Sequence, residues 1–578
     1  MKKINSLICI ALAGMSLSSC KEYLTLMPLN DVVLENFWTD KSDVESVLLG
    51  TYAALETSDC ITRMSLWGEM RSDNMTDGNS SSNDLIQITK ENILETNALM
   101  SWKCFYDVIN RANTVLFYAP KVQKEDPNYT KAELQANEAE AIAIRSLCYW
   151  YLIRAYKDVP YVTKPSIDDA DHGFVVPADS FDVVLDNLIN DLERVKNYAV
   201  NKYSLQSANT GRITRVAIYA MLADMYLWKG EWQKCIDYAE LVTERKLFEY
   251  EELEEEDPTG NIVKMFLEKY PLIQSTSGSN NAGTAYNATF GTGNSFEVLF
   301  ELYFQDNQST SNSFISSYYG SRNSTIGNLK VPADMSTGFN TGANKVFTSK
   351  FDGRFYESMK QDASSGDYGI VKYAASSISY NLQTGEVNNT LSQQSRNDGQ
   401  NPNWIIYRYT DVLLMEAEAL VMQGAEYDVD ANPALSSKRD SVFKKAFTIV
   451  NAINRRAICY PQYVNAAADT LKSVSYIASA SNMEDLVLAE RRRELCFEGK
   501  RWFDLVRISR REGNTNKLLQ YVLPRHTENQ SAIRIKLKDM DAMYFPYHKD
   551  ELKVNTELKQ NPVYKEDELV NKQSDSKK

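Results

Sequence analysis

The chain has 578 residues, 43% hydrophobic and 24% charged, with only 24 Gly and 15 Pro, which excludes a collagen-like or broadly disordered polymer. That length suits two to four modules or one large repeat-built body. A balance of 63 Lys and Arg against 77 Asp and Glu, net −14, argues against a nucleic-acid partner, and three histidines (His172, His526, His548) leave little for histidine-based metal or triad chemistry.

The chain opens MKKINSLICIALAGMSLSSC. Lys2 and Lys3 precede a mostly apolar run, Ile4 to Leu17, that is too short to span a bilayer and has the layout of an export signal over residues 1–19. Cleavage by an ordinary secretory route is one reading. The sharper one is a lipoprotein signal, because Leu17-Ser18-Ser19-Cys20 resembles a lipobox and implies that Cys20 is diacylated as the new N-terminus. The mature chain then carries 61 basic against 77 acidic residues, net −16. No later stretch reaches 18 continuous apolar residues, so residues 20–578 are expected to be one soluble body tethered by lipid.

Helical periodicity dominates residues 40–260. Over 133–157, Ala139, Ile142, Leu147, Trp150, Tyr151 and Ile153 recur at three- and four-residue spacing and stop at Asp158-Val159-Pro160. Over 213–248, Tyr219, Leu222, Ala223, Tyr226, Gly230, Trp232, Cys235, Ile236, Tyr238 and Val242 fall at the offsets of a tetratricopeptide helix–turn–helix, with Gly230 at the turn. One such unit cannot bury its own face. Neighbours are expected at 133–160, at 405–424, and in a pair formed by 441–458 and 483–510. Cys60, Cys104, Cys148, Cys235, Cys459 and Cys496 form no C-x-x-C pair, so zinc and thioredoxin-like sites are unsupported and free packed cysteines are predicted.

Residues 275–345 differ in kind: eight glycines, seven charged residues and abundant Ser, Thr and Asn. Loops and short strands are predicted there, with Phe296–Phe304 the ordered piece. Loops carried by a rigid scaffold are where binding usually resides. Further on, Glu490–Arg507 (ERRRELCFEGKRWFDLVR) interleaves acids and bases at three- and four-residue spacing, which predicts ion pairs on a helix rather than a basic nucleic-acid surface. H-E-x-x-H, G-x-S-x-G and P-loop signatures are all missing, so no catalytic residue, metal or cofactor is assigned.

Several segments, taken in order, resemble the SusD/RagB family of outer-membrane lipoproteins from Bacteroidetes. They are Phe37-Trp38-Thr39, Arg145–Pro160, Phe296–Tyr303, Asp352-Gly353-Arg354, Tyr407-Arg408-Tyr409 with Glu416-Ala417-Glu418-Ala419, Glu490–Arg507, and Tyr544-Phe545-Pro546 with Asn561-Pro562-Val563-Tyr564. Lys157 departs from the pattern, standing where a Gly is usual. The resemblance implies an all-α right-handed superhelix of tetratricopeptide-like helix pairs, with scaffold at about 30–260 and 400–520, a loop-rich insert at about 261–400 and minor β structure. It also implies a non-enzymatic surface lipoprotein that delivers oligosaccharides, or peptides in RagB-like members, to a SusC-like TonB-dependent transporter. A secreted glycoside hydrolase and a repeat scaffold without a small ligand are the other classes in play.

Sugars lay an apolar ring face on an aromatic side chain and pair their hydroxyls with planar polar groups. Two segments carry that mixture. In the first, Trp67 is the platform, with Arg71, Asp73 and Asn74 as polar contacts; a core tryptophan is the competing reading of Trp67. In the second, Phe314, Tyr318 and Tyr319 supply rings and Arg322 a guanidinium. The two segments are expected to meet on one face.

Overall fold

The computed structural model describes residues 37–565 apart from 167–174, 257–263, 268, 274–280, 305–311, 321–323, 337–345, 348, 350–351, 376–379, 382–401 and 459–470. Cys20 and the export signal therefore lie outside the described residues, as do Arg322 and Cys459. Among the described residues no helix is long and apolar enough to cross a membrane.

Eleven of the helices matter here: α1 Lys41–Leu55, α2 Ser58–Trp67, α3 Lys103–Glu125, α4 Lys131–Tyr156, α5 Phe181–Val195, α6 Arg215–Lys229, α7 Trp232–Glu256, α8 Tyr409–Ala425, α9 Ser436–Ala457, α10 Ala480–Leu495 and α11 Arg501–Glu512. Their starts follow from local chemistry. Asp40 and Asp43 close a capping box on α1, and Thr130 and Glu133 close one on α4. Packing runs α1 on α3, α3 on α4, α4 on α5, α5 on α6, α6 on α7, α7 on α8, and α8 on both α9 and α10. The 213–248 unit is thus one helix pair, α6–α7, with neighbours stacked on each side. Gly230 takes φ +78° at its turn, where the Glu231 N–H reaches the Tyr226 carbonyl at 3.0 Å, a Schellman closure that glycine accommodates. Trp150 and Tyr407 both donate to Asp224 Oδ2 at 2.8 Å, fastening α4 and the strand before α8 to α6.

Minor β structure fills the insert. Strands β1 Thr76–Asp77, β2 Val298–Leu302, β3 Leu329–Lys330, β4 Met359–Gln361, β5 Tyr368–Ile370 and β6 Trp404–Arg408 form a four-stranded sheet of order β1-β3-β5-β4 and a β2–β6 ribbon. The ordered piece expected at 296–304 is β2, buried at every position.

The 483–510 segment is not one helix. It breaks into α10 and α11 between Cys496 and Lys500, with Phe497 at φ +66° and Gly499 at φ +73°. Close approach is the reason. A Cβ on Gly68 would lie 1.8 Å from the Gly499 carbonyl oxygen, so the two backbones touch where neither residue has a side chain.

Candidate ligand-binding face

Trp67 ends α2 with its ring fully buried against Phe105 and Tyr156, and its indole N–H donates to the Leu99 carbonyl at 3.0 Å. The core reading of this residue holds, and a ring with no exposed surface cannot stack on a sugar. The polar residues behind it are buried as well. Arg71 grips Glu91 at 2.6 Å, donates to the Ala542 and Met543 carbonyls, and lies 4.3 Å over the Trp502 ring. Asp73 accepts from Arg501 at 2.8 Å and faces Arg492 at 3.0 Å. Burial alone would raise its pKa, but the two guanidiniums outweigh burial and hold the carboxyl below its ordinary value. Asn74 donates to Glu69 at 2.7 Å and accepts from Arg492 at 2.8 Å. Arg71, Asp73 and Asn74, expected as sugar contacts, instead clamp this loop to α10, α11 and the C-terminal segment.

Phe314 and Tyr319 are corrected in the same way. Phe314, in the short helix Ser313–Tyr318, is fully buried with Trp404 edge-on at 5.6 Å. Tyr319 is fully buried, and its hydroxyl donates to the Phe497 carbonyl at 2.7 Å. Of the expected residues that the structure describes, Tyr318 alone remains partly exposed, backed by Phe314 at 4.8 Å.

The expected residues form no common exposed face, but the chain just after each segment pairs. Thr76 pairs with Lys330 and Asp77 with Leu329, so β1 from the early loop and β3 from the insert share a sheet. The Gly78 N–H donates to the Asn328 carbonyl at 2.9 Å, and the Asn328 N–H to the Ser317 carbonyl at 3.3 Å. Around that junction Asn79, Ser80, Ser316 and Ser317 are exposed beside half-buried Asp77 and Tyr318. The signal for these residues was the run Asp77–Asn83 (DGNSSSN), which reads as a turn and carries no aromatic to draw notice.

Residues 274–564, just over half of the chain, match the model described as the SusD family, and residues 22–227 match one described as starch-binding associating with outer membrane. This chain belongs to the SusD family. Its curated relatives include SusD-like protein P38 of Formosa agariphila, 26% identical over 539 residues, covering 89% of this chain and 92% of that protein. The fold is shared with a SusD homolog from Bacteroides thetaiotaomicron at TM-score 0.65 and 18% identity, covering 92% of this chain and 98% of that one. A laminarin binding SusD-like protein aligns at TM-score 0.59 and 18% identity, over 91% and 99%.

Within this SusD-family fold, the motif residues gather in a buried ionic knot. Arg354 bonds Asp352 at 2.7 Å, Glu490 at 2.8 Å and Glu494 at 3.0 Å; Arg408 reaches Glu494 at 2.7 Å and Glu498 at 2.8 Å. Arg456 joins Glu297 at 2.6 Å and also contacts Glu494. Burial pushes the Glu494 carboxyl up, but Arg456, Arg408 and Arg354 outweigh it and hold it well below the carboxylate range. The paired charges predicted along one helix are therefore mostly contacts between elements. They pin the insert to α9 and α10 and leave the family motif with a structural role.

Proposed function

We propose that this SusD-family chain is a non-catalytic, lipid-anchored protein of the outer-membrane surface. It captures an oligosaccharide on the face around Tyr318 and passes it to a SusC-like TonB-dependent transporter. The observation that carries this reading is the match of residues 22–227 to the family described as starch-binding associating with outer membrane. The fold shared with a laminarin binding protein supports it, as does the composition of the β1–β3 junction. Exposed serines and an asparagine near a partly exposed ring suit a neutral glycan, whose binding sums modest stacking and hydrogen-bond contributions. Cys20 supplies the anchor through its lipobox-like context.

Affinity electrophoresis through gels containing neutral polysaccharides, laminarin and starch among them, tests the reading. Retardation by at least one of them is expected. Binding only to peptides would transfer the function to peptide capture.

A further inference from the structure

On the helical scaffold, at the α6–α7 turn, lies a cavity of about 440 Å³ that the face around Tyr318 does not include. Its size falls in the range of about 300–1,000 Å³ typical of small-ligand clefts. Trp232, Lys157, Asp541, Arg510 and Tyr544 are among its lining residues.

Three of its contacts are held in place beforehand. The Trp232 indole N–H donates to Glu426 at 2.6 Å, and the ring lies 3.5 Å from where a Cβ on Gly230 would stand, so the half-exposed indole is fixed. Lys157 has φ 72° and ψ −71°, with the Asp158 N–H bonded to the Tyr156 carbonyl at 3.0 Å. That is a γ-turn of the rare, strained hand, and no glycine occupies it. The turn sets the Lys157 ammonium 2.7 Å from Asp541, with 39% and 29% of the two side chains open to solvent. Arg510 meanwhile donates to the Tyr544 hydroxyl at 3.0 Å.

Charge decides the ligand class. The five cations of the cavity each face a carboxylate: Lys157 on Asp541, Arg510 on Asp182 at 2.9 Å, Arg507 on Glu418 at 2.6 Å, Lys229 on Asp186 at 3.0 Å, and Arg511 on Glu484. No uncompensated charge invites an ion. Paired donors and acceptors beside a fixed indole suit vicinal hydroxyls and the apolar face of a pyranose.

The geometry points to a second glycan site, taking one or two neutral hexose units, with Trp232 as the stacking ring and Lys157–Asp541 as a donor–acceptor clamp on adjacent hydroxyls. This inference rests on the glycan reading above for its ligand class and places the ligand elsewhere on the molecule.

Saturation-transfer NMR on the full chain with maltose, laminaribiose, cellobiose and lactose, and with glucuronic acid as the charged control, tests it. At least one neutral disaccharide should bind in preference to glucuronic acid. In a Tyr318→Ala background, which leaves this cavity alone to bind, Trp232→Leu should weaken that binding about tenfold, as losing an important contact does. Lys157→Gly should weaken it several-fold while the melting temperature stays level or rises, because glycine fits the turn without strain. Binding retained in full by either variant overturns the inference, as does glucuronic acid bound equally well. Binding abolished by Tyr318→Ala but intact in Trp232→Leu overturns this inference and leaves the glycan reading standing. No sugar bound at either place overturns both.

Discussion

The Glu69 carboxylate accepts the backbone N–H of Lys500 at 2.9 Å, across 431 positions of sequence. The same carboxylate accepts the N–H groups of Phe497 at 2.9 Å and Arg501 at 3.3 Å and the Asn74 amide at 2.7 Å. One buried side chain from the early loop therefore caps the break between α10 and α11 and orders the loop that leads to β1. Burial raises the Glu69 pKa despite those four donors. Glu69→Ala should leave buried N–H groups unpaired at about 1–3 kcal/mol each, for a total loss of at least about 3 kcal/mol. Urea unfolding at pH 7 measures it; a midpoint equal to wild type would remove the cap from the account.

Gly230→Val tests the helix-pair scaffold. A β-branched side chain at φ +78° is strained, and the left-handed region costs non-glycine residues about 1–2 kcal/mol. A lower melting temperature by calorimetry is expected. An unchanged one would mean that the α6–α7 turn does not require the left-handed backbone.

Glu301 predicts a pH dependence. It is fully buried on β2, its Oε1 accepting from the Asn294 N–H at 2.7 Å and the Asn403 amide at 2.9 Å, and burial pushes its pKa up to about 7. Between its ordinary value near 4.5 and about 7 the folded state binds the proton that the unfolded chain has released. This group's contribution to stability therefore falls as pH rises through that window, by about 3 kcal/mol in all at 1.36 kcal/mol per unit. Glu301→Gln keeps the acceptor and carries no charge, so its advantage over wild type should grow from pH 4.5 to 7.5. Parallel stability curves for the two proteins would contradict the assignment.

Cys20→Ala tests the anchor. The variant should leave the membrane fraction or stall in processing, and intact mass should lack the lipid. Unchanged fractionation and mass would sink the lipoprotein reading.

The helical scaffold was legible in the sequence because its cause is local. Ala223, Tyr226, Gly230, Trp232 and Cys235 sit within one hairpin and carry their spacing on their face. The clamp was not legible, because its partners are remote: Asp73 meets Arg492 and Arg501, and Arg71 meets the Met543 carbonyl, more than 400 residues away. Four polar residues in a row after a tryptophan read as a surface loop until those partners fold over them. Phe314 and Tyr319 misled for the same reason. Their serine-rich neighbours suggest exposure, and Trp404 and Phe497, which cover them, arrive from separate elements. Sequence reasoning placed the aromatic-rich segments but not the β1–β3 pairing of the chain that follows each of them.

The most direct test of the central claim is calorimetric titration of wild type and Tyr318→Ala with the polysaccharide that retards the chain in a gel. Tyr318 is partly buried, packed against the core with its ring stacked on Phe314 at 4.8 Å, and its open edge is the surface a sugar would stack on. A loss of about 1–3 kcal/mol, several-fold to about a hundredfold in affinity, is expected at a temperature where both proteins are folded. Equal affinity in the two folded proteins would contradict this and move glycan capture away from this face.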